Sequence, residues 1–278
     1  MTVVISASDV NKLRQITGAG MMDCKKALSE TNGDFDAAID YLRKKGQKVS
    51  EKRADRETNE GLVITGVSAD GSYGTIFGLG CETDFVAKNE AYIDFAKSIG
   101  EIALSNKPAT KDELLALPMD GETVGYKIAE QVGKIGEKIE ITDYALISGE
   151  TVVSYNHSNG KVGVLVALNK KGAEIESAGK DITMQIAAMA PIAIDKNDVP
   201  DEVKNRELEI GREQARAEGK PEAILDKIAT GKLEAYYKDA TLLNQKFVKD
   251  NSKSIRDVLT GVDKDLTVTG FKRVALGA

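Results

Sequence analysis

Leu62-Val63-Ile64-Thr65-Gly66-Val67, a turn at Asp70-Gly71 and Gly74-Thr75-Ile76-Phe77-Gly78-Leu79 together read as a β-hairpin. Thr151-Val152-Val153-Ser154-Tyr155, a turn at Asn159-Gly160 and Gly163-Val164-Leu165-Val166-Ala167-Leu168 read the same way. Laying Gly71 on Gly160 also places Gly74 on Gly163 and Leu79 on Leu168. A helical pattern follows each hairpin: Ile93, Ala96, Ile99, Ile102 and Ala103 in one, Ile182, Ile186, Met189 and Ala190 in the other. A third strand is expected at Ile139–Ile141, extending to Ile147, and its counterpart at Leu266–Phe271. The fold class is therefore α+β, with a duplicated core of two small antiparallel sheets covered by helices.

Outside this core the chain is helical. Ser8 is a candidate cap for a first helix whose Val10, Leu13 and Ile16 form a stripe, broken at Gly18 and Gly20. Met21, Cys24 and Leu28 mark a second helix. Phe35, Ala38, Ile39 and Leu42 mark a third, with Gly46 as its stop. The charged run Lys48–Glu57 reads as a solvated linker or an extended helix, and as a nucleic-acid arm in the sharper reading. Pro200–Ala217, the turn Glu218-Gly219-Lys220-Pro221 and the return helix through Ile224, Leu225, Ile228, Leu233 and Tyr236 form an inserted hairpin. It is either a partner-binding arm or an ornament packed on its parent. The expected units are 1–56, 57–147 and 148–278, with the hairpin at about 198–238.

Composition excludes several classes. The 278 residues are 41% hydrophobic and 29% charged with a net charge of -6, as for a soluble globular protein not built to wrap nucleic acid. No apolar run suffices to span a bilayer. Met1–Val10 lacks the basic start of a signal peptide. Cys24 and Cys81 lie far apart, which suits a reducing cytoplasm and no disulfide scaffold. With His157 the single histidine, a conventional zinc site lacks ligands. A Cys81–His157 dyad is the one nucleophilic arrangement open to the chain. Neither a phosphate-binding G-x-x-x-x-G-K-[ST] loop nor a strand-borne G-x-G-x-x-G occurs, so the chain is not expected to bind a nucleotide itself, and little in the residues supports an enzyme.

Two motifs remain. Thr83-Asp84-Phe85-Val86 puts an aromatic between strand and helix. There it is either offered to a partner, as interface anchors are, or turned inward to seal the corner. In Thr17-Gly18-Ala19-Gly20-Met21-Met22-Asp23-Cys24-Lys25-Lys26-Ala27-Leu28, neighbouring methionines point about 100° apart on a helix. Either one is exposed as an adaptable contact, or the pair caps the small core.

With both motifs and this order of parts, the chain from Val10 to Leu276 closely resembles the bacterial elongation factor Ts family. That resemblance implies a cytoplasmic guanine nucleotide exchange factor, with no catalytic residues, metal or cofactor of its own. The implied partner is elongation factor Tu, the GTPase that carries aminoacyl-tRNA, with no direct nucleic-acid or membrane binding. It implies a three-helix module similar to ubiquitin-associated domains resting on the GTPase, with Leu13, Gly18, Met21 and Met22 in contact. Thr83, Asp84, Phe85 and Val86 would enter beside the magnesium site. His157, in Ser154-Tyr155-x-His157, would reach another domain, and the hairpin would serve self-association in some members. Longer members carry a further C-terminal helical module, whose contacts are expected to be absent from a sequence running to Val274-Ala275-Leu276-Gly277-Ala278. The rival readings are an adaptor of the ubiquitin-associated type without exchange activity, a Cys81-dependent enzyme, and an RNA binder using the basic linker.

Overall fold

The computed structural model describes residues 5–277, apart from the side chains of Gln47 and Ser50. Most of the Met1–Val10 segment can be followed, but Met1–Val4 and Ala278 lie outside the described residues. The chain opens with α1 (Ala7–Thr17), α2 (Met21–Glu30) and α3 (Phe35–Lys52). Ser6, two residues before the expected Ser8, caps α1. Its hydroxyl accepts the Asp9 N–H at 3.1 Å, and the Asp9 carboxylate accepts the Ser6 N–H in return. Gly18 closes α1 in the left-handed region (φ 67°), donating its N–H to the Arg14 carbonyl.

The core of this module is Val10, Leu13, Cys24, Ala27, Leu28 and Ala38. Leu13 is fully buried there, which corrects its assignment as a partner contact: it cannot be reached without unfolding the module. Ile16 leaves the stripe and is exposed. Each three-residue step falls about 60° short of a full turn, so two steps carry Ile16 off the buried face.

Next come β1 (Glu60–Val67), β2 (Tyr73–Cys81), α4 (Asp84–Ala87), α5 (Glu90–Asn106), α6 (Lys111–Ala116), β3 (Pro118–Met119), β4 (Glu122–Thr123), α7 (Val124–Ile135) and β5 (Ile139–Ser148). The second half holds β6 (Thr151–Asn156), β7 (Val162–Leu168), α8 (Ala173–Met189), α9 (Asp201–Ala217), α10 (Leu225–Ala240), β8 (Lys246–Phe247), β9 (Asp250–Ser254), α11 (Ile255–Val262) and β10 (Val268–Ala275). The main sheets are antiparallel with orders β1-β2-β5 and β10-β7-β6. In each, the third strand lies beside the second strand of the hairpin, as the internal repeat requires.

The two sheets also stack face to face. In β2, Phe77, Leu79 and Cys81 meet α5 and α7, whereas Ile76 meets Val152, Leu165, Ala167 and Val274 of the other sheet. β7 divides likewise, with Val164, Val166 and Leu168 toward α8 and α11. The result is helices, sheet, sheet, helices. Gly163 permits the approach, since a methyl group there would sit 2.5 Å from Val63 Cγ1.

Gly46 does not stop a helix. It lies inside α3, which runs six residues further to Lys52, because its bare backbone faces that of Gly133 on α7. A methyl group on Gly133 would come within 2.5 Å of Gly46 Cα. This crossing seats the N-terminal module on the first half of the core. The charged run beyond it is not simply solvated. Val49 packs on the first-half core, Arg53 donates to Glu82 at 2.6 Å, and the Lys138 ammonium holds the Ala54 and Arg56 carbonyls. In the hairpin, α9 and α10 pack on each other, with Gly211 against Ala229 and Arg212 bonded to Asp226. Their base rests on Ala193 and Val199. Among the described residues no helix is long and apolar enough to cross a membrane.

Candidate partner-binding site around Phe85

Strand β2 ends at Cys81, and Thr83, in extended conformation, begins the single turn of α4. Ala87 is buried and Val86 packs half-buried on the first-half core. Successive side chains on a helix diverge by about 100°, so with 86 and 87 turned inward, 85 points away. Phe85 is 83% exposed. It does not seal the strand–helix corner; Val86, Ala87 and Tyr92 occupy that place.

The turn carrying this ring is anchored below and beside it. The Tyr92 hydroxyl donates to the Leu79 carbonyl at 2.8 Å, and the Cys81 thiol to the Thr83 carbonyl at 3.2 Å. Glu137 accepts both the Thr83 N–H (3.0 Å) and the Thr83 hydroxyl (2.7 Å). Glu82 accepts the Lys138 N–H and the Arg53 guanidinium, each at 2.6 Å. Burial works to raise the Glu82 carboxyl, but those two donors outweigh it and hold the group below its ordinary range. On the surface, Asp84 pairs with Lys88 at 2.5 Å, and this hydrogen bond lowers the Asp84 pKa. Asp84 thus has an internal partner one turn away.

Phe85 forms one wall of an open groove of about 430 Å³, shared with Gly18, Val86, Tyr92, Lys134 and Ile135. Gly18 belongs to the N-terminal module, Phe85 to the strand–helix step, and Lys134 and Ile135 to α7. Gly18 and Phe85, 67 positions apart in sequence, therefore border one cleft. Met21 (56%) and Met22 (75%) are both exposed on the same module but lie outside the groove lining. Their exposure rules out a pair that caps the core.

His157 stands elsewhere. It is exposed in the turn between β6 and β7, its Nδ1 lying 2.9 Å from the Tyr155 hydroxyl. It borders a separate hollow with Tyr155, Val162 and Met184. It does not meet Cys81, so no nucleophilic dyad forms. Cys81 is buried, and burial, with Glu137's charge adding to it, pushes its thiol up to about 11. Both cysteines are expected to resist iodoacetamide at pH 8 in the folded protein and to react once it is unfolded, as read by mass spectrometry. Fast labelling of the native chain at Cys81 would contradict this burial. Among the described residues no cluster of three or more His, Cys, Asp or Glu could hold a metal ion.

Helix α7 supplies the groove residues that sequence reading passed over. Its signals were present: Thr123 as cap, Val124, Ile128 and Val132 four apart, and Gly136 as stop.

The sequence model described as Elongation factor TS matches residues 82–278. The elongation factor Ts of Cytophaga hutchinsonii is 58% identical over 274 residues, covering 98% of this chain and 99% of that protein. This chain belongs to the elongation factor Ts family. Elongation factors Ts of Amoebophilus asiaticus (52% identical, covering 99% of this chain and 100% of that protein) and Flavobacterium psychrophilum (49%, covering 98% and 99%) agree along nearly the whole length. Its role accordingly lies in translation elongation. The family match begins at Glu82, one residue before Thr83, and runs through both halves of the core.

Proposed function

We propose that this protein is the guanine nucleotide exchange factor of elongation factor Tu, acting in the cytoplasm without covalent chemistry or a cofactor of its own. The observation that carries the reading is Phe85: a benzyl ring 83% exposed on a turn that the core holds fixed. Leaving such a ring in water is unfavourable, and seating it in a partner recovers that cost. GDP and Mg²⁺ hold one another in a GTPase through phosphate oxygens, and Mg²⁺ demands near-octahedral ligands at close distances. A ring wedged among the helices beside that site displaces the ligands, weakens the metal and so weakens the nucleotide. Coupling is reciprocal: bound nucleotide weakens the grip of the factor equally, which lets the next nucleotide release it.

In this reading Thr83, Asp84 and Val86 set the turn, with Val86 packed on its own core and Thr83 bonded to Glu137. Gly18, Met21 and Met22 lie against the nucleotide-binding domain, and His157 reaches another domain of the GTPase. The module carrying Gly18 is ubiquitin-associated in type. It is seated on α7 through Gly46 and Gly133, which favours a fixed part of one interface over an independent adaptor. The hairpin, whose helices pack mainly on each other, suits self-association.

Mixing the chain with elongation factor Tu loaded with fluorescent GDP tests the proposal. Release should accelerate in proportion to the chain added, at catalytic amounts when free GTP is present. Binding without acceleration would favour the adaptor.

A further inference from the structure

We infer that Glu137 is the positioning residue of the exchange reaction, holding the Phe85 ring at its working angle; the inference rests on the wedge reading given above. A four-residue helix has almost no stability of its own, because helix nucleation is costly. Something outside α4 must therefore fix its direction. Thr83 occupies the cap position, where a threonine side chain ordinarily accepts an N–H of the helix it starts. Here it makes no such bond. Its hydroxyl donates instead to one Glu137 oxygen at 2.7 Å, while its N–H donates to the other at 3.0 Å. One carboxylate thus grips both the backbone and the side chain of the residue two places before Phe85.

The grip is reciprocal across the two segments. Glu82 accepts the N–H of Lys138, so residues 82–83 and 137–138 are laced by three bonds. Glu137 itself is fixed by its place between Gly136, left-handed at φ 81°, and the first residues of β5. Carboxylates accepting bonds in partly buried surroundings make the stronger class of hydrogen bond. Phe85 touches the partner; Glu137 acts through it.

The test is a double-mutant cycle read by GDP release from elongation factor Tu at saturating chain, with thermal unfolding followed alongside. Glu137→Ala should slow the catalysed rate about tenfold in the native background, the loss expected for a charge-assisted hydrogen bond. In a Phe85→Ala background it should slow the rate less than about twofold, because the residue it positions is already gone. Thr83→Val removes the hydroxyl alone and should lower the rate in the same background-dependent way; Thr83→Ser should retain more of the rate than Thr83→Val. Should Glu137→Ala fail to fold, Thr83→Val carries the cycle. Losses that multiply in both backgrounds would overturn the inference, since Glu137 would then act independently of the ring. So would native rates for both Glu137→Ala and Thr83→Val while Phe85→Ala is slow, a result that leaves the exchange reading standing. A native rate for Phe85→Ala itself would overturn the wedge and this inference with it.

Discussion

Phe85→Ala should slow GDP release by about 30- to 1000-fold, because truncating a central aromatic anchor removes about 2–4 kcal/mol of interaction. That conversion holds when the whole interaction is expressed in the exchange transition state, which is where a wedge acts. The same substitution should leave folding almost untouched. The ring is 83% exposed and belongs to none of the hydrophobic cores among the described residues, and substitutions at such positions change stability by less than about 0.5 kcal/mol. The two measurements belong together: a large kinetic loss with an unchanged unfolding midpoint separates an interface role from a packing role. Asp84→Ala should cost less, since Asp84 is bonded to Lys88 within the turn.

Gly133→Leu should unseat the N-terminal module. A Cβ at 133 meets Gly46 Cα at 2.5 Å, and that Cα is a backbone atom inside a helix, so the contact cannot yield without the helices parting. Overpacking of this kind costs about 1–3 kcal/mol or more, against roughly 1 kcal/mol recovered from better helix propensity. The expected results are faster proteolysis between α3 and β1 and weaker catalysis of GDP release, because Gly18 leaves the groove wall that it shares with Phe85. Gly46→Ala is the control. Its methyl group would lie 3.4 Å from Gly133 Cα, an ordinary van der Waals contact, and should be tolerated or slightly stabilising. Equal damage from both substitutions would contradict the crossing geometry.

The same pair of glycines marks where sequence reading loses sight of the fold. A glycine near the end of an apolar helical pattern signals a stop, and Gly46 carries that signal. Close helix crossing uses the same residue for a different reason, and only the partner at 133 distinguishes the two. The repeated hairpins were legible because short strand-forming apolar runs, turn residues and the following helices agreed at both places. Their stacking was not, since strands buried on both faces lose the polar half of the alternation. Helical spacing put Leu13 in an apolar stripe with Val10, where it is buried, and its place among the partner contacts came from the resemblance alone. Phe85 could be read inward or outward, and its direction follows from Val86 and Ala87 turning in, which spacing over four residues does not fix. Glu137 was invisible for a simpler reason: a carboxylate that grips a residue 54 positions away leaves no local pattern.

The most direct test of exchange through the magnesium site is the acceleration of GDP release from elongation factor Tu by this chain, compared at saturating Mg²⁺ and with the metal chelated. If the Phe85 wedge works by dislodging the ion, chelation performs part of that work beforehand, and the fold acceleration should shrink. An acceleration of the same size in both conditions would contradict it.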